Sequence, residues 1–182
     1  MVLYDIHEAT ANSSVEEVKD LLEQDSNNAN KLDNCQRSPL LTAAVLGNIE
    51  IASLLLKHGA DILAVENKYH HSALHYAAFM GQASMIPVLL KYGAEINAID
   101  IYGCTPLHLA IDSGDISTFK ALVDQNADIC HKDNSGLSVI EKVIVIQREG
   151  MMKCIIDKLK LQPSVEEVTI KLKPMLDVNA LD

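Results

Sequence analysis

The sequence predicts an all-α fold: a solenoid of stacked helix-turn-helix units with short hairpin loops. Two observations carry this. Ser38-Pro39-Leu40, Ser72-Ala73-Leu74 and Thr105-Pro106-Leu107 open three copies of one pattern, spaced 34 and 33 residues apart. Within each copy the apolar residues fall at helical intervals, in two short stripes split by a glycine. A period of this length marks a repeat architecture, in which no unit buries its apolar face alone and stacked neighbours do it together.

Ser or Thr followed by Pro is a helix start, with the hydroxyl as cap and Pro at the first helical position. The first helix continues through Leu41-Thr42-Ala43-Ala44, His75-Tyr76-Ala77-Ala78 and His108-Leu109-Ala110-Ile111, whose small residues let it lie close to its neighbour. Gly47, Gly81 and Gly114 suit the left-handed conformation of a tight turn between helices. Ile49, Ile51, Leu54 and Leu55 then give the second helix one buried face. Gly59-Ala60-Asp61, Gly93-Ala94-Glu95 and Asn126-Ala127-Asp128 come after it. Pro87 falls inside the second helix of the third unit. Pro is tolerated only in a first turn, so that helix is predicted to start late, near Ser84.

The pattern extends outward in weaker form. One step back from Ser38 lies Tyr4 to Ala9, with Val15, Val18, Leu21 and Leu22 as the second stripe; one step forward from Thr105 lies Ser138 to Glu141, then Met151 to Leu159. The repeat domain is therefore predicted over residues 1–160, with units near 2–33, 34–66, 67–100, 101–133 and 134–160. Residues 161–182 break the period. There Ser164 and Glu167 have capping-box spacing, and Pro174 ends or kinks the helix they would start. A C-terminal cap helix or a loosely attached tail is expected.

Thr105-Pro106-Leu107-His108-Leu109-Ala110 meets the T-P-L-H-x-A signature literally, and the phased copies around it resemble the ankyrin repeat family over roughly residues 2–160. The resemblance implies an ankyrin-repeat solenoid without catalysis of its own, which binds a partner protein through a concave groove and its loop tips. It implies that His7, His75 and His108 hydrogen-bond backbone between units, and that Asn97, with Asn30 at the equivalent place, supports the hairpin loop and is a candidate for asparaginyl hydroxylation. The chain departs from the pattern in places. Leu41 replaces the expected His and Gln36 a loop Gly. The loop before Ser72, Asn67-Lys68-Tyr69-His70-His71, has one extra residue and no Gly. In the last unit Glu141 replaces His and Val139 replaces Pro.

Composition narrows the function. No run approaches a membrane span, and the N-terminus lacks a basic region ahead of Asp5 and Glu8, so neither a membrane association nor a secretory signal is expected. A net charge of −10, no Trp and two Phe argue against nucleic acid. Cys35, Cys104, Cys130 and Cys154 form no C-x-x-C pair and are expected to be reduced, in a cytoplasmic chain. No catalytic motif is present and no cofactor is expected. His70, His71 and His75 are candidate metal ligands, as is Cys130-His131, but no carboxylate or thiol completes a shell. Cys104, just ahead of a helix start, is the best candidate for a reactive thiol.

The positions that the family usually leaves polar are the most informative. The two residues that end each first helix are Val45-Leu46, Phe79-Met80 and Asp112-Ser113, with Ala11-Asn12 in the first unit. Two adjacent units thus present four apolar side chains toward the groove, overhung by Tyr69, His70, His71, Ile101 and Tyr102, with Asp112 as polar rim. A contiguous apolar patch rimmed by polar groups marks an interaction site. Residues 1–30 carry seven acids and one base, which form a solvated cap face or steer a basic partner. The chain is expected to be monomeric. An adaptor or scaffold is the leading reading, and a stoichiometric inhibitor of an enzyme or transcription factor the alternative. Thirteen Lys against two Arg suit an AT-rich genome and keep a secreted effector in host cytosol in view.

Overall fold

The computed structural model describes residues 5–160. Five helix pairs run in order: α1 (Ile6–Ala11) with α2 (Val15–Gln24), α3 (Pro39–Leu46) with α4 (Ile49–Lys57), α5 (Ala73–Phe79) with α6 (Ile86–Lys91), α7 (Pro106–Ser113) with α8 (Ile116–Asp124), and α9 (Val139–Val145) with α10 (Glu149–Lys160). The described residues contain no sheet, only isolated antiparallel bridges at Val65–Ser72 and Lys132–Ser138 at the bases of two loops.

Packing follows the pattern of small and large residues. The first helices α1, α3, α5, α7 and α9 stack side by side in chain order, while α8 contacts both α6 and α10 in the outer row. Ala43, Ala44, Ala77, Ala78 and Ala110 are fully buried where inner helices approach one another; Ile51, Leu55, Ile86, Leu89, Phe119 and Leu122 fill the layer between the two rows. Close approach of backbones needs short side chains, and the volume left between rows needs long ones.

The turns inside the pairs take the left-handed conformation, with φ near +70° at Gly47, Gly81 and Gly114. The terminal units make the same turn without glycine, at Ser13 and Gln147. Pro87 acts as expected but slightly later than predicted: a 3₁₀ turn occupies Ala83–Met85 and α6 begins at Ile86, which leaves Pro87 in its first turn.

Helix starts correct one expectation. Pro39 and Pro106 open their helices, but the Ser38 hydroxyl caps nothing and has no hydrogen-bond partner among the described residues. Elsewhere the hydroxyl caps as predicted, Ser72 Oγ accepting from His75 N at 3.3 Å and Ser138 Oγ from Glu141 N at 3.2 Å, and in the third and fourth units it also meets a ring, Ser72 Oγ at 2.9 Å from His75 Nδ1 and Thr105 Oγ1 at 2.9 Å from His108 Nδ1. In the fifth, Ser138 Oγ donates to the Glu141 carboxylate at 2.7 Å. Leu41 offers no such acceptor, and it lies buried at the His position. The predicted capping box at Ser164 and the 161–182 segment lie outside the described residues.

Candidate functional site

The loops between units are built on one device. A carboxylate at the base of each loop turns inward and accepts backbone N–H groups of its own loop: Asp33 from Cys35 and Arg37, Asp100 from Tyr102 and Cys104, Asp133 from Ser135 and Leu137. The enlarged loop carries Glu66 there, which accepts from Lys68, Tyr69 and His71. The extra residue in the loop is matched by one extra methylene in the acid. Burial opposes ionisation of Glu66, but three N–H donors outweigh it and hold its carboxyl below the usual range. Asp33 and Asp133 are also lowered against burial, Asp33 by N–H groups of its loop and the Arg37 guanidinium, Asp133 by the Ser135 hydroxyl and then by N–H groups of its loop.

The residue that turns each loop has positive φ. In the last two loops it is Gly103 and Gly136; in the first two it is Gln36 at +60° and His70 at +58°. His70 is thereby held exposed at the tip. Neighbouring loops are joined edge to edge, Ile101 N donating to Tyr69 O at 3.1 Å and Asn134 N to Tyr102 O at 2.9 Å.

Aromatic rings run along these loops toward the helices. Tyr69 lies 6.2 Å from Tyr102 and 5.5 Å from His71, and His71 meets Tyr76 edge-on at 5.4 Å. Lys68 Nζ sits 4.6 Å over the Tyr69 ring. His71 also stacks on His75 and places Nε2 3.1 Å from Asp100 Oδ2, tying the third unit to the fourth. With its ring so committed and His75 Nε2 directed at Cys104 O, the pair is engaged by protein groups; no cluster of metal-binding type occurs among the described residues.

Tyr76 leads to the inner-helix face. It lines a hollow of about 120 Å³ with Ala11, Arg37, Leu41, Thr42, Val45 and Leu46, drawn from three successive units. On the same face Leu46, Phe79 and Met80 are 45%, 45% and 44% exposed. A few steps along it, Lys142 Nζ binds Asp112 Oδ2 at 3.0 Å.

A sequence profile described as Ankyrin repeats (3 copies) matches residues 6–100 and again 65–133. The chain belongs to the ankyrin-repeat family. No curated protein sequence matches it. Ankyrin repeats are in general protein–protein interaction modules, and no helix among the described residues is long and apolar enough to cross a membrane.

Within this ankyrin framework the ten residues singled out from sequence divide. Leu46, His70, Phe79, Met80, Ile101, Tyr102 and Asp112 are exposed, whereas Val45, Tyr69 and His71 are partly buried. Asp112 is not a free polar rim, because Lys142 of the next unit neutralises it. Cys104 is the reverse of a reactive thiol: burial first, then the Asp100 charge, push it up to about 11. The ankyrin histidines act largely as the resemblance implies. His7 Nε2 meets Lys31 O at 2.7 Å and His75 Nε2 meets Cys104 O at 3.2 Å, whereas buried His108 interacts with the Leu137 backbone without a hydrogen bond of good geometry at Nε2 among the described residues. Asn30 and Asn97 brace the hairpins, their Oδ1 atoms accepting from Asp61 N at 2.7 Å and Asp128 N at 2.9 Å.

Two features escaped the sequence reading. Val145 and Ile146 end the fifth inner helix, 68% and 40% exposed; one further period from Asp112-Ser113 would have found them. Arg37 lines the hollow, and nothing in its local sequence signals that.

Proposed function

We propose that this ankyrin-repeat protein is a non-catalytic binding module that holds a partner protein on its inner-helix face and loop tips, with the second and third units at the centre. The single observation that carries this reading is the exposure of Leu46, Phe79 and Met80, each more than two-fifths accessible, around a hollow shaped by Tyr76, Val45 and Leu41. A contiguous exposed apolar patch marks an interaction site, and large aromatic and Met side chains are favoured at interface centres. The Asp112–Lys142 pair, Tyr102, Ile101 and His70 form the surround; Tyr69 and His71 support it from beneath.

A cytoplasmic adaptor or scaffold is the role we favour, with a stoichiometric inhibitor of an enzyme or transcription factor, including an effector in host cytosol, as the second. Quantitative affinity capture from cytosol with the wild-type chain and with Phe79→Ala/Met80→Ala tests the reading. Truncating a central aromatic anchor costs about 2 kcal/mol or more, so captured partner should bind the double variant at least roughly thirtyfold more weakly, with circular dichroism unchanged. Equal binding by both proteins would refute the site. An inhibitor would bring down one enzyme in equal amount and silence it; an adaptor would leave its activity intact.

A further inference from the structure

The junctions between units are not joined alike. Asn30 of the first unit holds the hairpin of the second by two bonds, to Gly59 O and from Asp61 N. The third and fourth units are tied by His75 to Cys104 O, by Ile101 N to Tyr69 O and by Asn97 to Asp128 N. The fourth and fifth share Asn134 N to Tyr102 O, the Asp112–Lys142 pair and Lys158 to Asn126. Between the second and third, one hydrogen bond crosses among the described residues, from Gln82 Nε2 to Val45 O at 3.2 Å.

The sequence accounts for this seam. Leu41 stands where a histidine would reach the next loop, and Leu63 where Asn30 and Asn97 hold the next hairpin. The enlarged 66–71 loop makes no edge bond to the 33–37 loop. Pro87 delays α6, and neither that helix nor the 3₁₀ turn ahead of it packs closely on α4, whereas α2 packs on α4 and α8 on both its neighbours. The inner row is continuous here, α3 on α5, but a hollow lies on each side of it. One is the hollow of about 120 Å³ at Tyr76; the other, of about 240 Å³, has Ile62, Leu63 and Val65 across from Ala94, Glu95 and Ile99. Side chains that line a void lose dispersion contacts as well as hydrogen bonds.

The stability of a stacked array is approximately a sum over its units and their nearest-neighbour contacts, and about three stacked repeats are needed for a stable core. The seam leaves two units on one side and three on the other. We infer that the first and second units open and reclose as one block at this seam while the third to fifth stay folded. Opening separates Val45 and Leu46 from Tyr76 across the hollow. Resting on the binding face proposed above, it therefore gates that face; the opening itself does not depend on that reading.

Native-state hydrogen exchange of the full chain in graded low urea, read by mass spectrometry of peptic fragments, tests this without a partner. Amides of α1 to α4 should share one urea-dependent opening and be at least roughly tenfold less protected than those of α5 and α7. Leu63→Asn, at a side chain 53% exposed, restores a hairpin bond toward Glu95 N and should raise protection across α1 to α4 about fivefold. One common opening for all five pairs would overturn the inference. So would opening of α1 and α2 alone, or α1–α4 protection unchanged in Leu63→Asn. If α1 to α4 open as one block but Phe79→Ala/Met80→Ala leaves partner capture intact, the seam stands and its gating of that face falls.

Discussion

His75 Nε2 lies 3.2 Å from the carbonyl oxygen of Cys104, so a buried ring of the third unit donates to the loop of the fourth. Its Nδ1 accepts from Ser72 N, which sets the tautomer. Burial, against the help of that carbonyl, depresses the ring to about 4 from an ordinary 6.5. The unfolded ring takes up a proton below 6.5 while the folded ring resists it. Stability is therefore full above 6.5 and falls as the pH drops toward 4, by roughly 3 kcal/mol from this residue. His108, also lowered chiefly by burial, adds to the same trend. Urea denaturation between pH 7 and 4.5 should show it. His75→Leu, which recreates the state found at Leu41, should cost about 1–3 kcal/mol at pH 7 and flatten the slope.

Glu66 is one methylene longer than its three counterparts because its loop is one residue longer. Glu66→Asp should lose contact with at least one of its N–H donors and lower stability by about 1–2 kcal/mol, as read by thermal melting. The same change made in reverse, Asp100→Glu, should also destabilise, since that loop has no extra residue to meet the longer side chain.

His70 holds its exposed place at the loop tip at the cost of positive φ. His70→Gly should raise stability by about 1 kcal/mol, since only glycine adopts that region freely. If the tip takes part in binding, the same variant should bind partner more weakly, so that stability and affinity move in opposite directions. Melting and affinity measured on the one variant check both.

The cysteines should label in an order opposite to the simple sequence expectation. Cys35 is exposed, and Cys104 is buried with its thiol pushed up to about 11. With a maleimide at pH 8, mass spectrometry should find Cys35 and Cys130, both exposed, modified first and Cys104 protected until the chain unfolds.

Asn30 makes two bonds to the next hairpin, to Asp61 N and from its Nδ2 to Gly59 O, where Asn97 makes its bond to Asp128 N. Replacing either by Ala should cost about 1 kcal/mol per bond removed. Asn30→Ala should thus lower the melting temperature more than Asn97→Ala.

The helix pairs, their order and the glycine turns at Gly47, Gly81 and Gly114 were legible in the periodicity alone. These are local matters: spacing of apolar residues, Pro at a helix start, and a residue free to take positive φ. The periodicity also marked Leu46, Phe79 and Met80, because a departure from a repeated pattern is visible wherever the pattern is counted. The three-dimensional stacking set what depends on groups distant in the chain. It paired Asp112 with Lys142, thirty residues on, and drew Arg37 into one hollow with Ala11 and Tyr76. It sank Cys104 beside Asp100, and left the Ser38 hydroxyl without a hydrogen-bond partner among the described residues where Leu41 stands for histidine. Charge, desolvation and hydrogen bonding act through space, and stacking one unit on the next brings those partners together.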